Sequence, residues 1–257
     1  MKKSSSVLIT LLFMLSMLAS FTAGVEYERG DVDHDGNVTV ADVTCLIDYL
    51  LQGTWPEDPV TPPEAHEWVD LGLPSGTLWA TCNVGAETPE EYGDFFAWGE
   101  TTPKKAYNWT TYTLCNGTYK TLTKYCTASY YGTVDDKTEL DPEDDAAYVL
   151  WGESWRMPTV EQMRELIDNC NWGWSTQNGV QGHLVTGPNG YSIFIPAAGY
   201  INASTHNDAG NAASIWSRSL NSDRTFEAYN IGFNPAMVET LSSARMLGLS
   251  VRAVRAQ

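Results

Sequence analysis

Apolar positions recur most regularly between Thr159 and Asn169 (TVEQMRELIDN). There Val160, Met163, Leu166 and Ile167 share one face at i, i+3, i+6 and i+7, the spacing of a half-buried helix. Its start is specified by side chains. Thr159 is the N-cap and Gln162, three residues on, completes a capping box, while Pro158 disfavours helix at Met157. Asn169–Gly173 is expected to stop it, with Trp151, Trp155, Trp172 and Trp174 flanking both ends. This predicts a core helix in aromatic surroundings. A second helical stripe, Val40, Val43, Leu46, Ile47, Leu50 and Leu51, lies nearer the N-terminus.

Elsewhere the pattern shortens. Trp68–Leu71, Leu78–Asn83 and Leu249–Val254 read as strands, with Leu73-Pro74-Ser75-Gly76 as a turn. His183–Thr186 and Tyr191–Ile195 flank Gly187-Pro188-Asn189-Gly190, which is hairpin chemistry. Residues 101–147 are rich in Thr, Tyr and acids without a period, so long loops are expected. Within them Asp141–Asp145 can start a helix through Ala146 and Tyr148, since negative charge suits a helix N-terminus. That cluster reads as a solvated cap ahead of a second cation site. Met237, Leu241, Met246, Leu247 and Leu249 follow no clean period, so this segment is expected to be irregular. The class implied is α+β: short helices, small antiparallel sheets and much loop.

The N-terminus changes the setting. Lys2 and Lys3, the apolar run Val7–Leu18 and the small residues Ala19–Gly24 form an export signal over 1–24, its apolar core too short to span a bilayer. No later segment reads as a membrane helix. Lys+Arg 15 against Asp+Glu 32 gives −17, and loss of Lys2 and Lys3 with the signal takes it to −19. Such a chain repels phosphate backbones and anionic lipid, which excludes nucleic acid and leaves cations, glycans or protein surfaces as partners. The 5 cysteines, Cys45, Cys82, Cys115, Cys126 and Cys170, leave at least one thiol unpaired. Cys115 with Cys126, and Cys82 with Cys170, are candidate pairs, and buried free thiols are the alternative for all.

Gly30–Leu51 carries the most specific chemistry. Asp31, Asp33 and Asp35 stand at positions 1, 3 and 5 of an EF-hand-type loop, and Gly36 at position 6 allows the sharp turn. Asn37 at 7 offers its carbonyl, Thr39 at 9 a hydroxyl or bridging water, and Asp42 at 12 a carboxylate. Calcium needs six to eight oxygens, and this spacing wraps them around one point. Together with the helix that follows, residues 25–52 resemble one repeat of a type I dockerin. The resemblance implies a cohesin-like partner, although dockerins carry two such loops and only one is present. Residues 53–66, with Pro56, Pro59, Pro62 and Pro63, form a semi-rigid linker.

Residues 67–257 resemble the Fibrobacter succinogenes major paralogous domain, within the C-type-lectin-like and formylglycine-generating group. The matching stretches are Trp68–Gly85, Tyr92–Glu100, Trp155–Thr159 (WRMPT), Gly187–Tyr200, Trp216–Asn221 and Ser250–Arg252. The resemblance implies a lectin-like fold in which both ends of the domain pair in one sheet, setting Trp68–Leu71 beside Leu249–Val254. It carries over no catalysis. The formylglycine-generating relatives use paired cysteines in a C-terminal arrangement, and this chain has none after Cys170. Calcium-dependent sugar-binding motifs are also incomplete at Pro188-Asn189 and Asn207-Asp208. No G-x-S-x-G, H-E-x-x-H or P-loop occurs. Asp94 and Glu100 could supply a carboxylate pair, but nothing specifies the separation a glycosidase needs.

Between the framework stretches of 199–252 lie insertions that look like the variable region of retroelement-diversified lectin-fold proteins. That resemblance implies ligand contacts from His206, Asp208, Arg218, Arg224, Phe226, Met237, Arg245 and Met246, although the same residues also read as ordinary loop and core. The expectation is an exported, non-catalytic binding or display protein for a protein or glycan at a bacterial cell surface. An accessory role in polysaccharide breakdown, tethered through the dockerin-like repeat, is the alternative.

Overall fold

A computed structural model describes residues 66–255. The expected export signal, the expected calcium loop and nearly all of the expected linker lie outside the described residues. Among the described residues strand is the commoner element, with two α-helices, giving a strand-rich α+β structure of small antiparallel sheets.

Strands β1 (Trp68–Asp70) and β2 (Leu78–Ala80) are joined through the expected turn, closed by Gly76 N–H donating to Leu73 O. A 3-10 turn at Pro142–Asp144 leads into helix α1 (Ala146–Trp151), where the Asp145 carboxylate caps the N–H groups of Ala147 and Tyr148. Helix α2 (Val160–Asn169) has both bonds of the predicted capping box and buries Val160, Met163 and Leu166. Next come β3 (Asn171–Gln177), β4 (Val180–Thr186) and β5 (Ser192–Pro196), a meander in order β3-β4-β5. The β4–β5 turn is the predicted Gly187–Gly190. Gly187 is required there because a Cβ would stand 2.0 Å from Leu71 O. β6 (Tyr200–Asn202) and β7 (Thr205–Asn207) form a small hairpin. Strands β8 (Ala213–Leu220), β9 (Glu227–Asn234) and β10 (Met237–Ala244) form the largest sheet, and β11 (Val254–Arg255) closes the chain.

One apolar cluster joins all three larger sheets to α2. It includes Leu71, Trp79, Met163, Leu166, Val185, Ile193, Ile215, Ile231, Phe233 and Val254. A second is aromatic, with Phe96, Trp98, Tyr125, Trp155 and Trp216 buried together. The indole N–H groups of Trp98 and Trp216 donate to Ser217 O and Phe96 O, each at 2.8 Å, so these large side chains carry no unpaired donor into the interior.

Two expectations are corrected, on the partner of the last strand and on the segment after Met237. The C-terminal strand shares a sheet with β1, but in the order β1-β2-β11, so it pairs with β2. Residues 249–251 form bridges and backbone bonds to Phe96, Ile215 and Val84 instead of a ladder with the first strand. Asn169–Gly173 stops the helix as expected: Cys170 is already extended and β3 starts at Asn171, making Trp172 and Trp174 strand residues. Met237–Ala244 is a regular edge strand whose face is only half-covered, which is why its apolar residues show no clean alternation. Cys82, Cys115, Cys126 and Cys170 are free thiols, the alternative that the sequence left open beside the two candidate pairs.

Candidate functional site

The loops of 101–147 build an aromatic face without regular secondary structure, which requires other fixings. Asp135 accepts from Tyr125 N–H and Cys126 N–H, both at 2.8 Å. Gly132 passes so close to Leu122 that a Cβ would lie 2.1 Å from its carbonyl oxygen. Beneath the loops lies Arg245, fully buried. It donates from Nε to Tyr112 Oη (2.9 Å), from Nη1 to Tyr125 O (3.0 Å) and Thr225 O (3.1 Å), and from Nη2 to Lys124 O (3.0 Å). Its guanidinium also faces the rings of Trp98, Tyr112 and Tyr125.

Over this base the rings connect one to the next. Trp109 stands 6.2 Å from Tyr119, Tyr119 is 5.4 Å from Phe226, Phe226 is 5.3 Å from Tyr131, and Tyr131 is 5.0 Å from Tyr130. Tyr119 and Tyr130 are 38% and 64% exposed, whereas Tyr112 below them is buried. Lys120 Nζ sits 4.6 Å from the Tyr130 ring, and the bond to that phenol holds its ammonium above the ordinary lysine range. The face therefore offers flat apolar surface, phenol hydroxyls and one adjacent cation.

The structure brings three predicted contact residues to this face. Phe226 lies within it, Met246 packs on the same buried cluster, and Arg224 spans from Phe226 (5.3 Å) to Glu227 (2.6 Å). His206 belongs to β7, its ring against Phe95 at 5.0 Å and its Nε2 2.6 Å from Ala198 O. Asp208 is exposed in a left-handed turn after β7. Met237 opens β10 at the far end of the β9–β10 hairpin from Ala244, and Arg218 lines a separate cleft. Arg245 is corrected: a fully buried side chain engaged with four acceptors supports the face and does not reach a ligand. Trp109, Tyr119, Tyr130 and Tyr131 were not anticipated. The tyrosine density of 101–147 is the signal that could have found them.

Asp141, Glu143 and Asp144 come close enough to share a cation among the described residues. Lys124 already supplies one: its Nζ lies 2.7 Å from Asp141, 3.5 Å from Glu143 and 2.5 Å from Asp144. Partial burial works against that ammonium, but the bonds to Asp141 and Asp144 hold it above its ordinary range, while Lys124 and Lys137 hold Asp141 below. The predicted metal ligands, Asp31 through Asp42, lie outside the described residues. Glu100 is buried and ties down the loop, accepting from Thr113 N–H (2.7 Å) and pairing with Lys104 (2.5 Å). Burial pushes the Cys82 and Cys115 thiols up and takes Cys170 to about 11, the reverse of thiol activation. No helix among the described residues is long and apolar enough to cross a membrane. Compared with family models, with curated proteins and with solved structures, the chain matches none.

Proposed function

We propose that this chain is an exported, non-catalytic binding and display protein. Its C-type-lectin-like domain presents the aromatic face of Trp109, Tyr119, Tyr130, Tyr131 and Phe226 to a glycan or protein at a cell surface. The observation that carries this reading is the continuous run of rings, two of them open to solvent, over loops pinned from below by Arg245. Aromatic faces stack on the C–H faces of sugars and on apolar side chains, and phenol hydroxyls add directional bonds. Preformed support matters here because ordering a mobile loop on binding would cost affinity. In the forward module, Asp31, Asp33, Asp35, Asn37, Thr39 and Asp42 are proposed to hold Ca2+, with cohesin-like docking as that module's role.

The test is a glycan and protein array probed with the mature protein, with calcium and then with chelator. Saturable binding that falls at least about tenfold in Tyr119→Ala and Tyr130→Ala is expected, since stacked side chains at the centre of an interface carry most of its energy. Equal binding by both variants would reject the aromatic face. Loss of a partner on chelation, with the aromatic variants unaffected, would assign that partner to the forward module.

A further inference from the structure

A strand at the edge of a sheet presents a row of unpaired N–H and C=O groups, and folded chains cover or blunt such rows. In this domain several edges are covered. Along β8, the N–H groups of Trp216 and Arg218 donate to Ser250 O and Pro158 O at 3.0 and 2.8 Å, and Arg218 O accepts from Leu140 N–H at 3.0 Å. On β5, Phe194 O accepts from Arg252 Nη2 at 3.0 Å. Strand β10 differs. The β9–β10 hairpin turns over Pro235-Ala236, so Asn234 and Met237 form its first hydrogen-bonded pair and the pairs alternate from there. The N–H and C=O groups of Val238, Thr240 and Ser242 therefore point away from β9, and none has a hydrogen-bond partner among the described residues.

Nothing within the strand blunts that edge. Met237–Ala244 keeps unbroken register with β9 over its 8 residues and holds no Pro, Lys or bulge. Glu239 is its single charge; the residue is exposed and pairs with no cation among the described residues. Ser243 Oγ accepts from Asn230 Nδ2 at 3.0 Å, which leaves its own hydroxyl hydrogen to give. Leu241, midway between them, is 37% exposed.

We propose that β10 pairs antiparallel with β10 of a second copy of this chain, across a two-fold axis at Leu241, joining two three-stranded sheets into one. In that register Leu241 faces its own counterpart in a non-hydrogen-bonded pair, the kind that brings side chains closest. Thr240 and Ser242 exchange backbone bonds with the other copy's Ser242 and Thr240. Glu239 falls opposite the other copy's Ser243, so each unpaired carboxylate meets a hydroxyl with a hydrogen to give. An axis at Thr240 would set Glu239 against Leu241, and one at Glu239 would set carboxylate against carboxylate. The occupant is a second copy because this strand supplies both halves of every pair, in the two-fold arrangement commonest among homo-oligomers. Strand β3 is a weaker edge for this purpose. Gly173 at its middle offers nothing to pack across a pairing, and Glu90 is bonded to Gln177 and Asn178 at its end, each at 2.7 Å. The β10 contact is small, which places it among transient interfaces. Phe226 directly precedes β9 at the Ala244 end, so each copy brings its aromatic face to one end of the joined sheet. Two such faces give avidity for a repeating ligand; that consequence alone rests on the reading of the face.

The test is sedimentation of the mature full-length protein from micromolar to millimolar concentration. A monomer–dimer equilibrium is expected, tightening as salt is raised because each copy is strongly acidic. Thr240→Pro removes an outward donor that β9 does not use, so it should weaken pairing at least about tenfold with an unchanged thermal midpoint. Leu241→Glu and Leu241→Lys should each abolish the dimer, and their equimolar mixture should restore it at low salt, as only a residue facing its own counterpart does. Tyr130→Ala should leave the dimer intact, which separates this result from the fate of the aromatic face. The proposal is overturned if the native protein stays monomeric throughout, or if Thr240→Pro or either Leu241 variant alone dimerises as tightly as native. It is equally overturned if the mixture restores nothing, if Tyr130→Ala abolishes the dimer, or if Thr176→Pro on β3 abolishes it and Thr240→Pro does not.

Discussion

Arg245 and Arg252 sit in the interior bonded to carbonyl and hydroxyl oxygens, whereas Arg156, Arg218 and Arg255 line a solvent-facing cleft with Glu153, and Glu139 pairs with Arg218. The interior pair is neutralised by carbonyl dipoles. Arg252 donates to Asn83 Oδ1, Ala80 O and Phe194 O at 2.9–3.0 Å, joining segments up to 172 residues away in sequence. Burial still weighs on its charge, pushing the guanidinium down to about 10. The cleft arginines face carboxylates instead: Glu139 pairs with Arg218 at 3.1 Å, and Asp145 acts on Arg156. The same residue type thus meets carbonyl dipoles in the interior and carboxylates at the surface.

The largest expected effect tests the interior half of this contrast. Arg245→Met leaves three carbonyls and the Tyr112 hydroxyl without their donor at a fully buried site. Urea unfolding should show a loss of about 4 kcal/mol, since buried groups left unpaired cost about 1–3 kcal/mol each and part of that is relieved by relaxation. Arg255→Gln should cost about 1 kcal/mol or less. Equal losses in the two variants would erase the distinction between interior and cleft arginines.

Asp145 sharpens it, being the buried acid that backs Arg156. Its carboxylate accepts from Ala147, Tyr148 and Met157 N–H groups at 3.0–3.2 Å, and it is 1% exposed. Asp145→Ala should cost about 3 kcal/mol, combining a lost cap with buried unpaired N–H groups. Asp145→Asn keeps one acceptor oxygen and should cost about 1 kcal/mol. Burial raises this pKa above 3.8, outweighing the backbone bonds and Arg156. The folded state therefore binds the extra proton, and this group's contribution to stability falls as pH rises from 3.8 through the folded value. In Asp145→Asn that part of the pH slope should vanish from the urea midpoints.

How legible this was depended on how local the cause was. The capping box at Thr159–Gln162, the Asp145 cap and the Gly187–Gly190 turn are each determined within a few residues, and each stands where the spacing placed it. β10 escaped because an edge strand with a half-covered face has no clean alternation, and β3 because tryptophan served equally well as helix flank. Arg245 is expected at a ligand because it falls in an insertion that resembles a variable region. What buries it is a set of carbonyls from Lys124, Tyr125 and Thr225, the first two about 120 positions away, and no local pattern announces them. Arg156 and Arg255 meet only because β11 returns to the segment after α1, a topological fact with no sequence marker.

The smallest effect concerns an interior group that can relinquish its charge. His183, 3% exposed on β4, stands among Trp172, Trp174 and Phe233, with ring centroids 5.1–5.6 Å away. Nε2 donates to Asn234 O at 3.1 Å, but Nδ1 is buried without a partner, so a second proton would have no acceptor. An arginine must stay charged and recruits acceptors for its donors; this imidazole stays neutral instead. Burial accordingly lowers its pKa from 6.5, against the opposing pull of the Asn234 bond. The unfolded chain then binds the extra proton as pH falls, so the stability His183 contributes is complete above about pH 6.5 and is lost progressively below it. Urea midpoints should drop between pH 7.5 and pH 5 in the native protein. In His183→Gln, which keeps a donor but cannot titrate, the profile should be flatter across that window. A native profile no steeper than the variant's would show that the interior accommodates an imidazolium, and the contrast between filled donors and forfeited charge would fail.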